Sequence, residues 1–81
     1  MKAKIHVTLK NGVLDPQGSA IKKSLENLGL NDFNKISQGK YFEIELNSKD
    51  KDQATKSVDQ ACSKLLANTV IENYKFEIIE N

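Results

Sequence analysis

Carboxylates are the only plentiful acid–base candidates in this chain. It has one histidine, His6, and one cysteine, Cys62, so no His/Cys metal spacing is present, and no Ser-His-Asp motif stands out in the sequence. His6 alternates with Lys4, Thr8 and Lys10 along an extended pattern, which reads as a solvated strand residue. Cys62 sits in the middle of an apolar helical stripe and reads as a small core residue, not a nucleophile. Glu43 and Glu45 share one strand face, but nothing near them in sequence would desolvate one of them into a general acid, so they read as a wet face. No Gly-rich phosphate loop is present.

The most informative local chemistry is Asp15-Pro16-Gln17-Gly18. Asp15 is suited to accept a free amide of a first helical turn, and Pro16 supplies a preset φ while lacking an amide that would be orphaned there. Here a strand must give way to a helix. Gly18 is unfavourable inside that turn and takes the place a capping box would give to Glu or Gln. Two explanations stand: close approach of a partner or ligand to the amide-rich helix start, or a steric need within the fold.

The elements around this switch follow from periodicity. Ala3, Ile5, Val7 and Leu9 alternate with polar residues as a strand with one wet face. Asn11-Gly12 signals a turn, yet only Val13 and Leu14 precede the helix cap, so it reads as a kink or bulge. A helix is expected from Pro16 to about Leu28, with Ile21, Leu25 and Leu28 as the stripe that faces the sheet. Gly29 ends it in the left-handed region. Phe33 to Leu46 forms the second extended region, interrupted at Gln38-Gly39-Lys40 by either a hairpin turn or a bend in one long strand, such as could cross into a second copy.

A second helix follows from Ala54, with Val58, Ala61, Cys62 and Leu65 on its apolar stripe and Leu66 extending it. Asn68 is placed to end it in the αL conformation. Ile71 to Ile79 is the last strand, with Tyr74, Phe76 and Ile78 toward the core and Ile79 apolar on the wet side. The order predicts a single α+β domain of ferredoxin-like type over residues 1–81, a mainly antiparallel sheet with two helices on one face.

Composition narrows the function classes. A chain of 81 residues buries little more than about 60% of its unfolded surface, so self-association as a homodimer or tetramer is expected. Twelve lysines, no arginine and eleven acidic residues give a net charge of +1 with both signs interspersed, which argues against nucleic acid and against an anionic membrane as partner. No apolar run approaches the roughly 20 residues that span a bilayer. A lone cysteine and a start at Met1-Lys2-Ala3-Lys4 with no apolar signal core point to the cytoplasm.

Three blocks carry a resemblance: Val13-Leu14-Asp15-Pro16-Gln17-Gly18-Ser19-Ala20-Ile21, Gly39-Lys40-Tyr41-Phe42-Glu43-Ile44, and Leu65-Leu66-Ala67-Asn68-Thr69-Val70-Ile71-Glu72-Asn73-Tyr74. Together they resemble the PurS family, the small subunit of phosphoribosylformylglycinamidine synthase in purine biosynthesis, over essentially the whole chain. The sequence departs from the family's pattern at Thr69, where proline is common, and around Ile36 to Gln38, where the family is more apolar. The resemblance implies a non-catalytic, segment-exchanged dimer that bridges a glutaminase and an ATP-dependent synthetase subunit for ammonia transfer. It implies no cofactor in this chain, with ATP, Mg and glutamine used by the partner subunits. Asp15, Gln17, Gly18, Gly39, Lys40 and Tyr41 are the expected partner-facing residues. The alternative is a ferredoxin-like regulatory domain that binds a small molecule at the helix start near Gly18.

Overall fold

The computed structural model describes residues 1–80. Its sheet has three antiparallel strands in the order β2-β1-β3, where β1 is Lys2–Leu9, β2 is Lys40–Glu45 and β3 is Glu72–Ile79. The first strand is therefore the centre of the sheet. Ile5 stands opposite Phe42 on one side and Phe76 on the other, and the alternation read from the sequence places Ala3, Ile5 and Val7 on the buried face. His6, Tyr41, Glu43 and Lys75 lie on the opposite, wet face.

Two helices follow the strands. Helix α1 is Pro16–Asn27 and helix α2 is Lys51–Ala61, each started by an aspartate cap, Asp15 and Asp50. Helix α2 runs into one wide π-helical turn, Cys62–Leu66, closed by the Ala67 amide on the Cys62 carbonyl at 2.9 Å. The core is Ala3, Ile5 and Val7 against Val58, Cys62 and Ala67, with Phe76, Ile78 and Tyr74 packed at its edge. Burial pushes the Cys62 thiol pKa up, and Asp59 adds to this, so the group is an inert core residue as expected.

Helix α1 departs from the expected packing. The pairs of elements that pack closely are the strands with one another and α2 with its π turn and with β3; α1 is not among them. Its stripe stays open within the chain, with Ile21 39% and Leu28 75% exposed. Phe42 and Ile44 of β2 are only half-buried. The helix and the segment that returns from it form an arm, and the protein measures 50 × 28 × 14 Å with a radius of gyration of 16.3 Å. A compact chain of this length would have about 12 Å.

The turns correct four further expectations. The second extended region forms a strand only over Lys40–Glu45, so Gln38-Gly39-Lys40 is no hairpin turn but the entry into β2. Asn11-Gly12 is a tight turn, with Gly12 at φ 84° and the Val13 amide on the Lys10 carbonyl. The π turn shifts the helical register, so Leu65 is 83% exposed while Leu66 and Ala67 point inward. Asn68 has no positive φ. Its side chain accepts the Val70 amide and its carbonyl accepts those of Ile71 and Glu72, so Ile71 belongs to the turn and β3 begins at Glu72. Gly29, by contrast, takes φ 84° as expected, and the Leu30 amide reaches the Leu25 carbonyl in a Schellman closure. No helix among the described residues is long and apolar enough to cross a membrane.

Candidate interaction site

The expected partner-facing residues fall in three places, with Gly18 buried at the start of α1. Asp15, Gln17, Gly39 and Lys40 come together, from positions far apart in sequence, along one groove of about 450 Å³. Its apolar floor and wall are Val7, Leu9, Val13 and Ile71, and Leu14 stands at its rim, 79% exposed. Tyr41 is not there. The strand's alternation turns it to the wet face, where its ring lies 4.8 Å from that of His6 and its hydroxyl donates to Glu43 at 3.0 Å.

Leu14 is the residue that sequence reasoning passed over. A residue just before a helix cap usually packs on the fourth helical position, but that position here is Ser19, which offers no apolar surface. Leu14 is thus left over for another contact. Ile71 and Glu72 join the groove because the Lys10 amide bonds the Ile71 carbonyl, extending the pairing of β1 with β3 by one step.

Asp15 organises this end of the molecule. One carboxylate oxygen accepts the Gly18 amide at 2.9 Å and the other accepts the Gln38 amide at 3.0 Å. The Gly18 amide, then that of Gln38, hold its carboxyl pKa below the usual value, and Lys35 adds a smaller pull. Gly18 is buried, and a Cβ there would run into the Ile36 carbonyl oxygen. That explains the glycine by the fold: its amide is used by Asp15, and its face is covered by the chain's own backbone.

Across the groove, Lys40 stands 3.8 Å from Glu72. The lysine side chain is 60% exposed, so the pair contributes at most about 1 kcal/mol. Glu72 is the better anchored partner, since its other oxygen accepts the Asn68 amide at 2.7 Å. Among the described residues no group of three or more His, Cys, Asp or Glu side chains is arranged to hold a metal ion. What the groove offers is apolar surface with a polar rim, suited to a protein segment.

The sequence pattern of the family described as "PurS: Phosphoribosylformylglycinamidine (FGAM) synthase" matches residues 2–80. The chain belongs to the PurS family. It is 44% identical over 79 residues to the PurS subunit of phosphoribosylformylglycinamidine synthase from Bacillus subtilis (strain 168), covering 98% of this chain and 93% of that protein. It is 47% identical over 75 residues to the PurS subunit from Synechocystis sp., covering 93% of this chain and 75% of the other.

Solved PurS structures share its fold. A Bacillus subtilis PurS crystal structure superposes with a TM-score of 0.87 at 44% identity, covering 98% of both chains. A chain in the structure of PurLQS from Thermotoga maritima superposes with a TM-score of 0.85 at 31% identity, covering 96% of this chain and 95% of that one. The α+β reading, with its antiparallel sheet and two helices, thus agrees with the PurS structures.

Proposed function

We propose that this protein is the PurS subunit of a phosphoribosylformylglycinamidine synthase, a non-catalytic part that holds a glutaminase and a synthetase subunit together for ammonia transfer. The observation that carries the reading is the arm. A chain that leaves α1 off its own sheet, with Ile21 and Leu28 exposed and β2 half-covered, has apolar surface to bury against other chains. The full-length likeness to PurS subunits supports reading those chains as a second copy and the other subunits of the same synthase.

Two surfaces divide the work. The arm pairs with a second copy, as an exchanged segment that covers the open face of β2, giving a homodimer or a dimer of dimers. The groove lined by Leu14, Gln17, Lys40 and Ile71 receives a segment of a large subunit. In this scheme glutamine, ATP and Mg are bound by the partner subunits, this chain carries no cofactor, and the assembly works in the cytoplasm.

The test is assembly in solution. Glutaminase and synthetase subunits are mixed with glutamine, ATP and Mg, with and without this protein, and masses are measured by light scattering. A three-component particle that forms only when this chain is present, together with a dimeric or larger mass for the chain alone, is expected. A complex of the two large subunits that forms equally well without it overturns the proposal.

A further inference from the structure

Residues 36–39 form a strap that passes between the first turn of α1 and the end of β1. The strap is held in three places. A Cβ at Gly18 would collide with the Ile36 carbonyl, so the helix approaches the strap as closely as backbone allows. A Cβ at Gly39 would lie 2.6 Å from the Val7 carbonyl oxygen, so the strap also approaches β1 too closely for any side chain. Between these contacts the Asp15 carboxylate holds the Gly18 amide with one oxygen and the Gln38 amide with the other.

Since α1 is not among the elements that pack closely on the sheet, its base is the place where its direction can be set. The base is where Asp15 joins the helix start to a residue 23 positions later. A carboxylate suits both bonds, because each is strengthened by the charge and the helix start favours an anion. Ser or Asn at this position would cap a helix comparably well, so capping alone does not require a carboxylate.

We infer that the Asp15 carboxylate is the lock of the arm: by clamping Gln38 it fixes the angle at which α1 leaves the sheet and so presents the arm to a second copy. This rests on the assembly reading for the identity of what the arm meets. The lock itself is a property of one chain. It also couples the two surfaces, because Asp15 and Gln38 both line the groove and a segment seated there lies against the clamp.

The experiment uses the full chain with Cys62→Ala, and spin labels at Ser24→Cys on α1 and Lys75→Cys on β3, diluted into excess unlabelled protein. Pulsed dipolar spectroscopy reads the distance between arm and sheet within one chain, and amide exchange reads Gln38. Asp15→Ser keeps the cap but does not reach Gln38, and Asp15→Asn keeps the cap but sets an NH2 donor against the Gln38 amide. Both are expected to turn a single narrow distance distribution into a broad one and to speed Gln38 exchange by about tenfold or more. Narrow distributions in both variants, with Gln38 exchange unchanged, overturn the lock. If the chain proves monomeric while the variants broaden, the assembly reading falls and the lock stands.

Discussion

The Tyr74 hydroxyl donates to Asp59 at 2.7 Å and so fastens β3 to α2. The bond favours the neutral phenol: the Asp59 carboxylate first, and partial desolvation second, raise the Tyr74 pKa above its ordinary value of 10.0. A group whose folded pKa is raised contributes stability that is complete below the unfolded pKa and is lost as pH rises through the folded one. Tyr74→Phe is therefore expected to lower the thermal midpoint by a few degrees at pH 7, and the gap to the parent should close above about pH 10. Melting curves from pH 7 to 11 check this; a gap that persists at high pH refutes it.

Asp15 has the opposite sign. Its folded pKa is depressed by the Gly18 and Gln38 amides, so the stability it contributes is present above the unfolded carboxyl pKa and is lost as pH falls through the folded one. Asp15→Asn should be less stable than the parent at pH 7, and the difference should shrink below about pH 4. Denaturant midpoints measured from pH 7 to pH 3 test it.

Lys40 belongs to the groove more than to the fold. Its ion pair with Glu72 is long and its own end is exposed, so Lys40→Ala should change stability by less than about 1 kcal/mol. Lys40→Glu sets a carboxylate beside Glu72 and should cost a little more. Both should weaken capture of the large subunits, read by surface binding at fixed salt. A folding defect in Lys40→Ala would reassign the residue to structure.

The arm should respond to charge. Ile21→Lys combined with Leu28→Lys places two ammonium groups on the stripe that α1 leaves uncovered. The expected result is a native circular dichroism spectrum with a dissociation constant for self-association raised about a hundredfold or more, since burying an unpaired charge costs several kcal/mol. Sedimentation velocity across a dilution series measures it.

What the sequence made legible was local. The alternation of Ala3, Ile5 and Val7, the Asp15-Pro16 cap and the Gly29 stop each act through neighbours a few residues away, and each stands in the structure. What it hid was long-range or cooperative. The fate of the α1 stripe depends on whether the chain folds back on itself, which periodicity does not encode. Gly18 kept two explanations until Ile36 was placed over it, and Leu65 turned outward because one wide turn shifted the helix register.

The expected partner residues met a similar fate. Asp15, Gln17, Gly39 and Lys40 converge on one groove because β1 brings the start of β2 beside the α1 cap. Tyr41, one residue beyond Lys40, is carried to the other face by strand geometry alone.

If the chain joins the two large subunits as proposed, glutamine serves the synthetase only in its presence. Formation of formylglycinamidine ribonucleotide from glutamine is measured with the glutaminase and synthetase subunits, with and without this chain. Ammonia replaces glutamine in a parallel reaction. Glutamine-dependent turnover that requires the chain, beside ammonia-dependent turnover that does not, is the predicted result. Glutamine-dependent turnover that is unchanged when the chain is left out would contradict it.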